Sequence, residues 1–244
     1  MNLVMKKFFS TQKNLFVFDF DETIIQHNSD TYFYKIFPDS NIPKSLKETY
    51  KQGYWLDFMR NVFDHLKKNN ISPMRIKQVL EEIPLTHGFK ELLEYLNSNK
   101  EKVDSIIISN ANTLFVDWIL QKHGFKMVFD GIFTNPATIT DDKIQILNYH
   151  SHECKLCALT SVNLCKKTVL LKYLMGKQYK KLYYAGDGYN DFCPTTIMKK
   201  EDLVFSRKNY PLSDALKQNK KKNEYEATII YWTDGFDILK EIQK

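Results

Sequence analysis

Apolar positions fall in short unbroken runs: LFVFDF (15–20), SIIISN (105–110), VFDGIFTN (128–135), KLYYAGD (181–187) and ATIIYW (227–232). Each ends in polar or turn residues, the pattern of a strand buried on both faces of a parallel sheet. The first, second and fourth read as central strands, and the other two as edge or later strands. Between the runs the period changes. GFKELLEYLNSN (88–99), NTLFVDWILQKHG (112–124) and KKTVLLKYLMGK (166–177) carry apolar residues at helical spacing. In the second of these Leu114, Phe115, Trp118 and Ile119 share a face, and Gly124 supplies a stop. Alternating strands and helices predict an α/β fold, a doubly wound and mostly parallel sheet with helices on both sides.

Residues 28–84 break the rhythm. No run there has the look of a buried strand, while LDFMRNVFDHLKKN and PMRIKQVLEEI are amphipathic and separated by Asn70 to Pro73. The expected organisation is a core domain of residues 1–27 and 85–244, interrupted by a helical cap over 28–84.

With 244 residues the chain can bury one large core. No apolar run approaches the roughly 18 residues of a membrane span. The start, MNLVMKKFFSTQK, has no apolar stretch after its lysines, so a secretory signal is not expected and a cytoplasmic location is. The net charge of +6 comes from scattered lysines and one short cluster, KQNKKKNEYE. That is a solvated surface, compatible with small phosphorylated ligands rather than with nucleic acid. Four cysteines without a secretory signal do not imply a disulfide framework.

Chemistry concentrates where the strands end. In doubly wound sheets ligands bind outside the carboxyl ends of the strands. The first run ends in DFDET, with Asp19 and Asp21; strand alternation would send both carboxylates to one side. The second ends in Ser109 and Asn110, and a later one in GDGYND, with Asp187 and Asp191. A helix opening at Lys166 and Lys167 precedes the last of these. Like charges that close repel and raise one another's pKa, and a bound cation relieves the cost. Hard carboxylate oxygens in this number suit Mg²⁺. A hydroxyl, backbone N–H groups and a lysine then suit phosphate oxygens.

In order and spacing DFDET, SNANT, the lysine-led helix and GDGYND resemble the four motifs of haloacid-dehalogenase (HAD) superfamily phosphatases, over roughly residues 15–195. VFDFDETIIQHNSD, IIISNANT, NLCKK and AGDGYNDFCP further resemble the branch that includes phosphoethanolamine/phosphocholine phosphatase and pyridoxal phosphate phosphatase. The resemblance implies a Mg²⁺-dependent phosphomonoesterase acting on a small phosphorylated metabolite through an aspartyl-phosphate. Asp19 would be the nucleophile and Asp21 the general acid/base. The metal would be held by Asp19, the main-chain carbonyl of Asp21, and Asp187, with Asp191 beside it or acting through water. Ser109 and Lys166, or the adjacent Lys167, would bind the phosphoryl group, with Asn110 next to them. At position 110 the family usually has Asp, thought to face a cationic head group. Asn110 keeps hydrogen bonding without the charge, which implies poor discrimination in favour of choline or ethanolamine substrates.

Two features stand apart. HSHECKLCALTSVNLC places His150, His152, Cys154, Cys157 and Cys165 together, either a Zn²⁺ site or a cysteine-rich loop packed beside the active site. Tyr32, Phe33, Tyr34, Phe37, Tyr54, Trp55 and Phe58 enrich the cap in aromatics, either a cage for a cation or ring, or core. A mutase-like phosphoryl-transfer enzyme and a non-catalytic binding module on the same fold are the alternative functions.

Overall fold

The computed structural model describes residues 13–150, 162–220 and 224–244. Its strands are β1 (Asn14–Phe18), β2 (Val103–Asn112), β3 (Gly131–Asn135), β4 (Ala137–Thr140), β5 (Lys143–Ile146), β6 (Leu182–Gly186), β7 (Leu203–Arg207) and β8 (Thr228–Trp232). Its α-helices are α1 (Ser29–Tyr32), α2 (Lys44–Lys47), α3 (Trp55–Lys68), α4 (Pro73–Leu80), α5 (Phe89–Ser98), α6 (Thr113–His123), α7 (Lys166–Leu174), α8 (Phe192–Thr195), α9 (Pro211–Lys220) and α10 (Gly235–Ile242).

Six strands form one sheet in the order β3-β2-β1-β6-β7-β8, with every neighbouring pair parallel. The winding reverses between β1 and β6, which opens a crevice at their carboxyl ends. β3 and β8 are the edges, as their sequences suggest. Two features go beyond the apolar runs: strand β7, LVFSR, and the antiparallel β4–β5 hairpin.

Both faces of the sheet are covered, which is why β1 is a continuous apolar run. Phe16 and Phe18 pack into one layer with α3, α4, α5 and α6; Leu15 and Val17 pack into the other with Val169, Leu170 and Leu212. Burying one such phenylalanine contributes roughly 1.5–3 kcal/mol. The predicted stop at Gly124 holds, and the caps of α6 and α4 come from the structure. Asn112 caps α6 by accepting from Phe115 N at 3.1 Å, and Gly124 ends it with φ +77°. Ser72 caps α4 and Pro73 opens it.

α1 to α4 all lie between Ser29 and Leu80. The two chain segments that bound them run side by side: Ile25 and Leu85 form an antiparallel bridge, Gln26 N donates to Pro84 O and Thr86 N to Ile24 O. The helices rest on α6 through Phe33 and Phe63, whose ring centres lie 5.7 and 6.0 Å from that of Phe115. Among the described residues no helix is long and apolar enough to cross a membrane.

Candidate active site

β1 ends one residue before the first acid. After Phe18 the chain does not continue as a strand through Phe20 but winds into a wide turn over Phe20–Ile24. Strand alternation therefore does not set the directions of Asp19 and Asp21. Asp21 is extended within the turn, and Glu22 has left-handed φ of 53°. The Asp21 carboxylate accepts from Ser29 N at 2.8 Å, at the start of α1. Asp19 is held by Phe20 N at 2.7 Å and by Lys166 Nζ at 2.7 Å.

Lys166 opens α7, is fully buried, and also bonds Asp191 Oδ1 at 2.7 Å. Lys167 turns away and donates to Thr196 Oγ1 at 2.9 Å. The geometry thus separates two adjacent lysines that the sequence leaves interchangeable. Asp191 is saturated: Oδ1 also accepts from Tyr184 OH at 2.5 Å, and Oδ2 from Asp187 N at 3.1 Å and Gly188 N at 2.9 Å. This packing explains Gly186, where a Cβ would lie 2.5 Å from Asp191 Cγ. Thr23, in the first turn, donates to Asp187 Oδ1 at 3.2 Å and links the two acidic strand ends.

Asp19, Asp187 and Asp191 are all buried, each offering an oxygen within 4.8 Å of the others. The Asp21 carboxylate is not in this cluster. Burial, then the Asp191 charge, pushes Asp19 up to about 7 against the pull of Lys166. Burial, then Asp19 and Asp191, pushes Asp187 up to about 9. Burial works to lower Lys166, but the charges of Asp19 and Asp191 outweigh it and hold the ammonium protonated. Burial, then Asp30, raises Asp21 well above the carboxylate range. Three buried oxygen donors around one ammonium, short of positive charge, suit a hard divalent cation.

Asp19, Asp21 and Asp187 border a cavity of about 450 Å³ that Ser109 and Asn110 also line, with Lys166 and Asp191 buried outside its lining. Ser109 sits where β2 slips register, and its Oγ accepts from Ala111 N at 3.1 Å. Asn110 Oδ1 accepts from Asn190 Nδ2 at 3.0 Å, so the amide is tied to the GDGYND loop. From the helical segment come Asn28, Asp30, Thr31 and Trp55. Trp55 Nε1 donates to Asp30 Oδ2 at 2.7 Å, and burial pushes Asp30 up to about 6. Sequence reading missed Asp30, Thr23 and Tyr184; none carries a signal until the fold brings it to the site.

Of the seven cap aromatics only Trp55 lines this cavity. Phe33, Phe37 and Phe58 are buried in the core, Tyr32 and Tyr34 pack against it, and Tyr54 is half exposed beside a separate hollow. His152, Cys154 and Cys157 lie outside the described residues. Of that group's remainder, His150 Nε2 accepts from Cys165 N at 3.1 Å.

Residues 14–244 match the family described as Putative Phosphatase. The chain belongs to that family. It is 39% identical over 238 residues to pyridoxal phosphate phosphatase PHOSPHO2 of Mus musculus, covering 95% of this chain and 98% of the relative. It is 32% identical over 238 residues to the phosphoethanolamine/phosphocholine phosphatase of Homo sapiens, covering 94% and 88%. The apo crystal structure of a phosphoserine phosphatase superposes with a TM-score of 0.59 at 18% identity, covering 94% of this chain and 98% of that one. This last likeness concerns the fold. This member of the Putative Phosphatase family is a phosphatase, built on an HAD-like fold.

Proposed function

We propose that the protein is a Mg²⁺-dependent phosphomonoesterase that acts on a small phosphorylated metabolite in the cytoplasm, with residues 28–84 as a cap over the core of 1–27 and 85–244. The observation that carries this reading is the convergence of Asp19, Asp187 and Asp191 on one buried point beside Lys166. Asp19, the main-chain carbonyl of Asp21, and Asp187 would hold the ion, with Asp191 behind them. When bound, Mg²⁺ would neutralise the carboxylates and the phosphate oxygens.

The chain's own groups do the rest. Asp19 attacks phosphorus, and its new O–P bond forms as the bond to the substrate alcohol breaks. Asp21, kept protonated by burial, gives its proton to the departing oxygen. As a carboxylate it then takes a proton from the water that hydrolyses the aspartyl-phosphate. Ser109 and Lys166 bind the phosphoryl oxygens. Lys166 also lowers the charge repelling the incoming phosphate.

Pyridoxal 5′-phosphate, phosphoethanolamine and phosphocholine are the substrates to compare, following the names of the relatives. Residue 110 is neutral and engaged with Asn190, and Asp30 is the acid that residues 28–84 contribute to the cavity lining. We expect kcat/KM for the two amine-bearing substrates not greatly to exceed that for pyridoxal 5′-phosphate. Asn110→Asp should raise their relative rates by about 5-fold or more. Turnover of this panel with Mg²⁺ and with excess EDTA tests the reading, and full activity in EDTA contradicts it.

A further inference from the structure

Arg207 closes β7 at the same edge of the sheet, yet it belongs to neither the acid cluster nor the residues that line the cavity. It is 5% exposed. A guanidinium so buried needs compensation, and here no carboxylate supplies a described ion pair. Its face lies 4.4 Å from the Tyr210 ring centre and 5.2 Å from that of Trp232. Its hydrogen bonds go to one place. One NH group donates to Glu22 O, and NH2 donates to Gln26 Oε1 at 3.1 Å.

That place is the junction between the first strand and the cap. Glu22 has φ of 53°, a left-handed conformation that is strained for a non-glycine residue and persists only when its surroundings hold it. Asp21 immediately precedes it. Gln26 follows, on the segment paired with Pro84 where the chain enters the helical region. A planar fork that reaches the middle of this turn and the segment just after it sets its shape more firmly than either bond alone. Its aromatic stacking fixes the fork in turn.

We propose that Arg207 is a positioning residue: it pins the Phe20–Ile24 turn so that the Asp21 carboxyl is held where the leaving oxygen needs a proton. The inference rests on the reading of Asp21 as general acid. It acts on one step, release of the alcohol, and not on phosphate or metal binding. Its signature is therefore selective. A poor leaving group, as in phosphoethanolamine, needs the proton; 2,4-dinitrophenolate leaves without it.

The experiment compares kcat/KM, which reports steps through alcohol release, for phosphoethanolamine and 2,4-dinitrophenyl phosphate at saturating Mg²⁺. Variants are Arg207→Met, Arg207→Lys, Gln26→Met and Asp21→Asn, with thermal melting as the check on folding. General acid catalysis contributes roughly 10²–10⁴-fold. Arg207→Met should lose about 100-fold on phosphoethanolamine and less than about 5-fold on the dinitrophenyl ester. Arg207→Lys, which keeps the charge but not the fork, should fall between it and wild type. Gln26→Met leaves the buried cation in place and should show a smaller split, about 5-fold, in the same direction. It decides the matter if Arg207→Met does not fold. Equal losses on both substrates, or none, in the folded variants overturn the inference. Asp21→Asn tells the two failures apart. If it shows the split and the others do not, Arg207 is merely structural. If it too lacks the split, the assignment of Asp21 as the acid has failed.

Discussion

The first strand carries a lysine–aspartate contact at each end, and the two are alike in length and opposite in kind. Before β1, Lys13 Nζ meets Asp104 Oδ1 at 2.7 Å, with 40% of the lysine side chain exposed. After β1, Lys166 Nζ meets Asp19 Oδ1 at 2.7 Å, with none of it exposed. At the amino end Asp104 is matched: Lys13 serves one oxygen and Tyr179 OH the other, at 3.0 Å. Water screens that pair, which is worth roughly 0–1 kcal/mol. At the carboxyl end one buried ammonium faces three buried acids. Distance alone thus distinguishes nothing. Burial and an unbalanced count of charges separate a surface tether from the centre that we propose receives a cation and a phosphate.

The largest contrast is expected for Asp19→Asn. Turnover should fall by roughly 10⁴-fold or more while the protein still folds. A folded variant retaining a tenth of the wild-type rate would rule out attack by this carboxylate. Lys166→Met comes next. We expect at least about a 100-fold loss of turnover through lost stabilisation of the transferring phosphoryl group. Breaking a buried pair should also lower stability by about 3 kcal/mol, read by denaturant titration without metal. Little change in either quantity would place the ammonium outside the reaction.

A smaller effect links metal to pH. An acid whose pKa is raised on folding stabilises the native state below its ordinary value of 3.8, and that contribution is lost as pH rises through the folded value. Asp19, at about 7, and Asp187, at about 9, should therefore make the metal-free protein less stable between roughly pH 4 and 9. Mg²⁺ replaces the protons. Its rise in Tm should be larger near about pH 8.5 than near about pH 5, by roughly 3 °C or more. A gain independent of pH would mean that the ion binds elsewhere. The smallest effect belongs to the other end of the strand. Lys13→Met should cost no more than about 1 kcal/mol, less in high salt, and leave turnover within about twofold. A large loss of activity there would erase the distinction between the two ends.

Much of this architecture is legible along the chain, for identifiable reasons. β1, β2 and β6 announce themselves because burial on both faces demands unbroken apolar runs. β7 is harder to see: in LVFSR only three residues are apolar before Ser206 and Arg207, and the buried arginine looks like a surface residue. The β4–β5 hairpin is short, and only Ile144 and Ile146 of it are buried, too few to stand out as an apolar run. The aromatics of residues 28–84 leave a binding cage and a core both open in sequence, and packing assigns most of them to the core.

Residue type and spacing, set by local physics, suffice for the α/β class, the helices α3 and α4 and the acidic strand ends. A carboxylate after a buried strand, a capping asparagine and a stop glycine act within a few residues of themselves. The pairings across the site belong to the tertiary structure alone. It chooses Lys166 over Lys167, directs Asp21 toward Ser29 rather than alongside Asp19, and brings Asp30 and Trp55 of the cap to the cavity. It also carries Arg207 across 185 residues of sequence separation to the turn behind the first strand. Those choices depend on which helix rotation, turn shape and loop length let buried charges find partners, and that balance is struck only when distant segments lose water together.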